Sequence, residues 1–424
     1  MEFSAFGFDP VLNRAISERG WITPSAIQRA AIPLILQGSD LIASAQTGSG
    51  KTAAFCLPLL QKLLQQKATK KIGVLILVPT RELAMQVGET IRTLTQYVTS
   101  PIKLAVLFGG VSINPQMLHL RGGADIVIAT PGRLLDLVQK NALMLTTVHT
   151  LVLDEADRLL ELGFADELRQ LIDLLPLQRQ NLLFSATFPT QLDALTQGLT
   201  TSAIAAPVRL DIPATLINRP AILQRAIVVD TAQRTQLLRH LIETQKWDRV
   251  LVFAASRYSA ELIAVKLRKA RIAAEPFHGE LSQGKRTQVV ADFKAGRVKV
   301  VVATDVAARG LDIIDLPVVI NYDLPRSGED YIHRIGRTGR AGASGLAISF
   351  IATGNEAHFR LIENRHDIQL EREHIVGFEP LDNDVSVLIK PAPESIQSTD
   401  PNHNGGIKGK KPNKKDKLRA LSRP

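Results

Sequence analysis

The stretch Leu41-Ile42-Ala43-Ser44-Ala45-Gln46-Thr47-Gly48-Ser49-Gly50-Lys51-Thr52-Ala53-Ala54-Phe55 has the pattern of a strand, a glycine-containing loop and the first turn of a helix. A short apolar run followed by a helix is typical of a parallel sheet that helices cover on both faces. The same alternation continues along the chain. The sequence therefore predicts an α/β fold with doubly wound parallel sheets.

Eleven short apolar runs are predicted as the strands of these sheets. They comprise residues 41–45, 74–78, 104–108, 126–129, 151–153 and 182–184, then 226–229, 250–253, 300–303, 318–320 and 347–350. The two groups meet at residues 211–220, where Pro213 and Pro220 interrupt the pattern. We therefore expect two domains, residues 1–210 and 221–380, joined by a linker at 211–220.

The positive charge of the chain is concentrated at its end. The formal net charge is +10, and residues 401–424 contain eight basic residues and one acid, so seven of those ten charges lie there. Glycine and proline in this segment predict that residues 381–424 form a flexible, disordered tail that is basic from about residue 401. The tail either binds nucleic acid electrostatically or only keeps the protein soluble.

The remaining composition is that of a cytoplasmic protein. Hydrophobic residues make up 45% of the chain and charged residues 22%, which is ordinary for a globular protein. No apolar run approaches the roughly 18 residues of a membrane span. The single cysteine, Cys56, cannot form an internal disulfide. We expect no contact with a membrane.

Residues 45–52 have the composition of a loop that binds nucleotide phosphates. Gly48 and Gly50 let backbone N–H groups approach an anion with no Cβ in the way. Lys51 supplies positive charge to the β- and γ-phosphates, and Thr52 offers its hydroxyl to Mg²⁺. Ala45 stands where the usual pattern has its first glycine, so a turn that only starts a helix is the alternative. The residues expected to contact ATP here are Ala45, Gln46, Thr47, Gly48, Ser49, Gly50, Lys51 and Thr52.

Asp154-Glu155-Ala156-Asp157 follows the apolar run 151–153 directly. A carboxylate at the end of a buried strand is the second Mg²⁺ ligand expected beside a phosphate loop, and this role suits Asp154. Glu155 is placed to orient or deprotonate the attacking water. An acidic stretch on a solvated helix is the alternative for this tetrapeptide taken alone.

Further motifs, in order along residues 3 to 350, resemble those of the DEAD-box RNA helicases. They are Pro79-Thr80-Arg81-Glu82-Leu83-Ala84, Thr130-Pro131-Gly132-Arg133, Ser185-Ala186-Thr187, Ala303-Thr304-Asp305 with Arg309-Gly310-Leu311-Asp312, and His333-Arg334-Ile335-Gly336-Arg337-Thr338-Gly339-Arg340. Residues 108–116 resemble the bacterial RhlE-type branch. The resemblance implies two tandem RecA-like domains, an ATP-binding one and a C-terminal one, that use ATP and Mg²⁺.

An adenine-binding segment is implied at about residues 3–31. Gly20-Trp21-Ile22-Thr23-Pro24-Ser25-Ala26-Ile27-Gln28 resembles the family's segment, and the amide of Gln28 suits the N6 and N7 edge of adenine. Phe3 or Trp21 could stack on the base. Core packing is the alternative for Trp21.

The second half lacks a phosphate loop, because residues 250–253 run into Ala254-Ala255-Ser256-Arg257. By resemblance, Arg340 is an arginine finger, Arg337 lies beside it on the phosphates and Asp305 contacts the ribose. His333 would couple to the first domain, together with Asp157, Ser185 and Thr187. The alternatives without a catalytic role are surface ion pairs for Arg337 and Arg340, and a histidine packed in the core for His333.

RNA contacts are implied in the same way. The side chains and backbone at these positions suit phosphate and sugar rather than base edges, so binding should be largely independent of sequence. The positions are Thr80, Arg81, Gly110, Thr130 and Arg133 in the first domain and Gly279, Arg286 and Thr304 in the second.

The predicted function is ATP-dependent RNA unwinding or remodelling by a monomer. Closure of the two domains would bring Lys51, Glu155 and Arg340 around one phosphate. A DNA helicase or translocase and an ATP-gated RNA clamp without unwinding are the alternatives. The RhlE-type likeness suggests ribosome assembly or RNA turnover, with ribosomal or RNA-degradation proteins as partners.

Overall fold

A computed structural model of the chain describes residues 2–45, 48–65, 71–188, 192, 206–212, 222–308, 316–339 and 345–380. Both sheets of the fold lie within the compact unit Met1–Pro380. Gln46, Thr47, Arg340, most of the predicted linker and the predicted tail lie outside the described residues. No helix within the described ranges has the length and apolar character to cross a membrane.

The first half forms a sheet of seven parallel strands. Along the chain they are β1 (Leu41–Ser44), β2 (Val74–Leu77), β3 (Leu104–Leu107), β4 (Ile126–Ala129), β5 (Thr150–Leu153), β6 (Gln180–Ser185) and β7 (Val208–Asp211). Their order in the sheet is β3-β4-β2-β5-β6-β1-β7. Because every pair is parallel, the loops that follow the strands share one edge of the sheet.

The second half repeats this architecture. Its strands are β8 (Ile222–Val228), β9 (Val250–Phe253), β10 (Ala274–Phe277), β11 (Val300–Ala303), β12 (Val318–Asn321), β13 (Gly345–Ile351) and β14 (Arg372–Glu373). They are parallel and lie in the order β10-β11-β9-β12-β13-β8-β14.

Helices connect the strands. The first half contains a short 3₁₀ helix (Phe3–Phe6), then α1 (Pro10–Glu18), α2 (Ala26–Leu36), α3 (Lys51–Leu64), α4 (Arg81–Leu94), α5 (Asn114–Leu120), α6 (Pro131–Gln139), α7 (Ala156–Glu161) and α8 (Ala165–Asp173). The second half contains α9 (Arg234–Gln245), α10 (Arg257–Lys269), α11 (Gln283–Lys294), α12 (Asp305–Ala308), α13 (Gly328–Ile335), a 3₁₀ turn (Thr353–Asn355) and α14 (Glu356–His366).

The strands are apolar at successive positions because both faces of each sheet are buried. In β2, Val74 and Ile76 pack into the core on one face, while Leu75 and Leu77 pack into the core on the other. In β9, Val250 and Val252 face one core, and Leu251 and Phe253 face the other. This arrangement confirms the predicted parallel sheets with helices on both faces.

Three strands were not predicted. β7 pairs with β1 at the edge of its sheet and alternates between half-buried and exposed residues, so it lacks a continuous apolar run. β10 contains Pro276 and Glu275, and β14 has two residues, both charged. β7 also places Asp211 in the first sheet, one residue inside the predicted linker. The other domain boundaries stay predictions.

Candidate active site

The phosphate loop lies between β1 and α3. Gly48 and Gly50 have φ values of 80° and 94°, in the left-handed region that favours glycine. A Cβ on Gly50 would come within 2.5 Å of the Nε2 atom of Gln28. The backbone conformation therefore favours glycine at position 50, and a larger residue there would also displace the amide of Gln28. The backbone N–H of Ala45 donates to the carbonyl of Ser185 on β6.

Lys51 begins α3 and is 6% exposed. Its Nζ atom donates to the carbonyl oxygen of Ala45 at 2.7 Å. That partner is neutral, so the buried ammonium can still pair with phosphate oxygens. The hydroxyl of Ser49 is also buried and, among the described residues, has no hydrogen-bond partner. The loop therefore has donors that fit a nucleotide's phosphates, while Thr52, half-buried in the first turn of α3, can offer its hydroxyl.

Asp154 follows β5 and is 2% exposed. Burial raises the pKa of its carboxyl group to about 7; Lys51 opposes the shift, and the charges of Glu155 and Asp157 add to it. The backbone N–H of Glu155 donates to Oδ1 of Asp154 at 3.0 Å. A carboxylate held in this way gains from any cation that binds beside it.

Asp157 connects the loop after β5 to the loop after β6. Its Oδ2 atom accepts hydrogen bonds from the backbone N–H of Ala186 at 3.2 Å and of Thr187 at 2.9 Å, and from the Thr187 hydroxyl at 2.9 Å. Its own N–H donates to the Ser185 hydroxyl at 3.3 Å, and that hydroxyl donates to the Thr187 carbonyl at 2.6 Å. Three of the four residues predicted for interdomain coupling, Asp157, Ser185 and Thr187, thus form one network inside the first half, and the coupling itself stays a prediction.

The predicted adenine-binding residues lie against the phosphate loop. Gln28 is 7% exposed; its Oε1 accepts from the N–H of Ser25 at 2.9 Å, and its Nε2 donates to the carbonyl of Gly50 at 3.2 Å. These contacts fix which end of the amide is donor and which is acceptor. Each end retains capacity for one more hydrogen bond.

The two candidate stacking residues differ in exposure. Phe3 is 4% exposed, and its ring stacks on Trp21 with centroids 6.3 Å apart. Trp21 is half-buried and has the guanidinium of Arg19 at 5.0 Å from its ring centroid. Phe3 is thus largely covered, whereas Trp21 keeps more surface. Stacking of either ring on a base stays a prediction.

The first-half positions predicted to contact RNA follow β2, β3 and β4. Thr80 caps α4, and the guanidinium of Arg81 lies where a Cβ on Gly110 would be. Thr130 precedes α6 and is 7% exposed.

Arg133 donates to the Val111 carbonyl at 2.7 Å. Its Nε and Nη1 atoms are buried without a hydrogen-bond partner among the described residues, and burial lowers its pKa. Nε lies 3.9 Å from Oδ2 of Asp136 in an ion pair that is too long for a hydrogen bond, so the guanidinium keeps donors that suit an anionic phosphate.

In the second half, Arg286 is not on an open surface. It is 5% exposed and forms an ion pair with Glu82 of α4, with Nη2 and Oε1 2.9 Å apart. This contact joins the two halves of the chain. Gly279 is exposed and Thr304 half-buried. The sequence indicated Glu82 only as a member of the motif 79–84, because nothing local predicts a partner 204 positions along the chain.

Asp305 is held by an arginine that the sequence did not single out. Arg334, buried on α13, donates to both carboxylate oxygens of Asp305 at 2.6 and 2.8 Å. It also donates to Oδ1 of Asn321 and to the carbonyl of Asp323. The carboxylate that is predicted to meet the ribose is therefore fixed in orientation. The only signal in the sequence was that Arg334 lies within the motif 333–340.

Two further predicted residues of the second half, His333 and Arg337, lie at the end of α13. His333 is half-buried in its last turn, and Arg337 is 8% exposed in the turn that follows. The carbonyl of Arg337 accepts from the N–H of Leu316 at 3.1 Å. Arg340, the predicted finger, is outside the described ranges, so its placement stays a prediction.

Comparison with known proteins gives a consistent result. Residues 25–195 match the DEAD/DEAH box helicase family, and residues 233–342 match the helicase conserved C-terminal domain. The ATP-dependent RNA helicase CshA of Listeria monocytogenes is 39% identical over 85% of this chain and 68% of its own length. A helicase-like protein, DB10, of Nicotiana sylvestris is 38% identical over 84% of this chain, but the chain spans 58% of that protein.

Two solved structures are similar to the chain. Dbp5 of Saccharomyces cerevisiae bound to RNA and ADP BeF3 is 31% identical, with a TM-score of 0.76, and the alignment covers 88% of this chain and 95% of that one. Mss116p bound to single-stranded RNA and AMP-PNP is 28% identical, with a TM-score of 0.77, over 89% of this chain and 79% of that one.

Proposed function

Since the chain belongs to the DEAD-box family of ATP-dependent RNA helicases, with two tandem RecA-like domains, we propose that it hydrolyses ATP when it binds RNA and thereby opens short duplexes or remodels RNA–protein complexes. The observation that carries the proposal is the network of Asp157 with Ser185 and Thr187, together with the burial of Lys51 and Asp154 in the neighbouring loops. The N–H of Ala45 donates to the Ser185 carbonyl, so this network connects the loops after β1, β5 and β6. A change at the phosphates can therefore reach the motifs in the loops after β5 and β6.

The nucleotide site would be shared between the domains. Lys51 and the loop around it bind the phosphates, Gln28 pairs with the adenine, and Glu155 orients the attacking water. Arg337 and Arg340 add positive charge from the second domain when the domains close. Phosphate release then reopens the cleft, a hinge motion.

Thr52 and Asp154 are the residues that would hold Mg²⁺. Within the described residues, no cluster of three or more His, Cys, Asp or Glu side chains forms a metal site. This fits an ion that is bound by one or two protein ligands together with substrate phosphates. The ion would neutralise charge on the phosphate oxygens.

Binding of Mg²⁺ and nucleotide should release a proton from Asp154. Its pKa is raised from 3.8 to about 7, so below pH 7 the free protein carries the neutral acid, whereas a metal ligand must be ionised. At pH 6.5 about three quarters of a proton should be released per nucleotide, and almost none at pH 9. Affinity should fall as pH falls below 7, by up to about tenfold per unit.

Calorimetry in buffers of different ionisation enthalpy measures this release directly. Asp154→Asn should abolish the proton release on nucleotide binding. Asp166→Asn, which changes an exposed side chain of α8, should leave that release unchanged. Equal proton release in the wild type and Asp154→Asn at pH 6.5 would contradict the assignment.

RNA binding should be largely independent of sequence. The donors available suit phosphate and sugar; they include the two Arg133 nitrogens that have no hydrogen-bond partner among the described residues. An ATPase assay with RNA, with DNA and without nucleic acid tests the function and its alternatives together. We expect stimulation by RNA alone. Equal stimulation by DNA would favour a DNA helicase or translocase; ATP-dependent RNA binding without stimulated turnover or unwinding would favour a clamp.

We further propose that the protein acts as a cytoplasmic monomer of the RhlE-type branch. Residues 108–116 support that branch, while the relatives reported above include a CshA protein. Ribosome assembly or RNA turnover is the corresponding role, with ribosomal or RNA-degradation proteins as partners.

Deletion of the residues after about 400 should weaken the salt dependence of RNA binding. If all seven net positive charges of this segment met phosphates, the slope of log affinity against log salt would change by about 5, at about 0.7 per contact on single strands. The slope is measured by RNA titration between 50 and 300 mM salt. An unchanged slope would identify the segment as a solubilising end.

A further inference from the structure

Arg158 is the largest side chain that is fully buried in the described part of the protein, at 1% exposure. It lies in the first turn of α7, directly after Asp157 and three residues after Glu155. Neither composition nor spacing assigned it a function. A buried guanidinium cannot shed its charge, so its environment must supply a partner.

That partner is Glu155. Nη1 of Arg158 lies 3.5 Å from Oε2 of Glu155, and the two side chains are 2% and 11% exposed. Among the described residues, Nη1, Nη2 and Oε2 have no hydrogen-bond partner. The pair is thus close but imperfectly aligned, which is common for catalytic groups before substrate binds.

Glu155 also has an unusual backbone. Its φ value is +51°, in the left-handed region that residues other than glycine seldom adopt. Its carbonyl accepts from the N–H of Arg158 at 3.0 Å and from that of Leu159 at 3.1 Å. Strained backbone of this kind persists when the surroundings hold it, and it clusters at active sites. Arg158 therefore contacts Glu155 twice: its backbone N–H donates to the Glu155 carbonyl, and its guanidinium lies beside the Glu155 carboxylate.

We propose that Arg158 is a positioning residue for ATP hydrolysis, which it supports by holding the carboxylate of Glu155 in the orientation that directs it at the attacking water. Oε2 faces the guanidinium, which leaves Oε1 for the water. Arg158 itself need not touch the nucleotide. The inference rests on the role proposed above for Glu155. The competing explanation is that Arg158 only fills buried space and stabilises α7.

A double-mutant cycle separates the two explanations. The variants are Arg158→Met, Glu155→Gln and their combination, with Arg158→Lys to retain the charge without the planar fork. We measure kcat at saturating ATP and RNA, the affinity for a non-hydrolysable ATP analogue, and the melting temperature. Arg234→Met is the control, since Arg234 is 3% exposed and its ion pair with Asp323, at 2.9 Å, lies in the second half.

Arg158→Met should lower kcat about 10- to 100-fold, the range for groups that act through a ligand they orient, with nucleotide affinity within about threefold. Arg158→Lys should be intermediate. The double variant should match Glu155→Gln alone, because residues acting as a unit are not additive. Arg234→Met should lower the melting temperature but change kcat less than about threefold.

If kcat of the double variant falls by the product of the two single losses, the inference is overturned. It is also overturned if Arg158→Met has the kcat of the wild type while Glu155→Gln is inactive. If Glu155→Gln itself turns over normally, the proposed role of Glu155 fails, and the inference fails with it. Should Arg158→Met not fold, the cycle is run with Arg158→Lys, where equality with the wild type in kcat is the overturning result.

Discussion

Arg340→Ala should lower RNA-stimulated ATP hydrolysis by about 10³- to 10⁵-fold and leave nucleotide affinity nearly unchanged. An arginine finger accelerates phosphoryl transfer by this factor, which corresponds to roughly 4 to 7 kcal/mol of transition-state stabilisation. An arginine in a surface ion pair contributes about 1 kcal/mol or less. The two interpretations of Arg340 therefore predict results that differ by orders of magnitude.

Single-turnover hydrolysis with saturating RNA measures the effect, and titration with a fluorescent ATP analogue measures binding. Arg360→Ala is the matched control: this arginine lies on α14 of the second half, is 70% exposed and pairs with Glu356 at 2.9 Å. Its loss should change hydrolysis less than about twofold. Activity of Arg340→Ala within about threefold of wild type would exclude the finger assignment.

Lys51→Ala should reduce ATP affinity by about 10²- to 4 × 10³-fold and bring hydrolysis to background. Removal of one partner of a buried charge pair costs about 3–5 kcal/mol, which gives this range. Lys51 is 6% exposed, so its pairing with phosphate would take place largely out of water. Lys51 also lowers the pKa of Asp154; its loss should therefore make Asp154 a poorer metal ligand at neutral pH.

Lys62→Met provides the comparison for Lys51→Ala. Lys62 lies on the same helix, α3, and its Nζ atom donates to Oε1 of Gln180 at 2.9 Å, away from the phosphate loop. Its loss should alter stability and leave ATP affinity within about twofold. If Lys51→Ala binds ATP as tightly as Lys62→Met does, the loop 45–52 is not the phosphate site.

These two predictions concern different stages of one reaction. In the proposed mechanism Lys51 contacts phosphate before and during the reaction, so its loss should weaken binding itself. Arg340, as the proposed finger, would act only after the second domain has approached, so its loss should leave binding intact and raise the barrier. The ion pair of Glu82 with Arg286 is a direct contact between the two halves of the chain. This contact is buried, and burial raises the pKa of the Glu82 carboxyl.

Most of the fold followed from local pattern. Each predicted strand is a run of apolar residues that had to be buried on both faces, and each such run proved to be a strand. The phosphate loop and Asp154 could be predicted as parts of the nucleotide site because the residue types that this chemistry needs adjoin one another in the sequence; these assignments stay predictions. The strands β7, β10 and β14 escaped prediction, because they lie at or next to sheet edges and carry polar residues or proline.

The sequence by itself determined the parallel α/β class, and it predicted the nucleotide site in the loop 45–52 and the acidic residues after β5. Only the tertiary structure decided that β6 lies between β5 and β1, which brings Ser185 and Thr187 to Asp157. It alone paired Arg334 with Asp305, Arg286 with Glu82 and Arg158 with Glu155. The physical reason is that apolar periodicity is a local property, whereas a buried charge must find its counter-charge wherever the chain brings one, often far away in sequence.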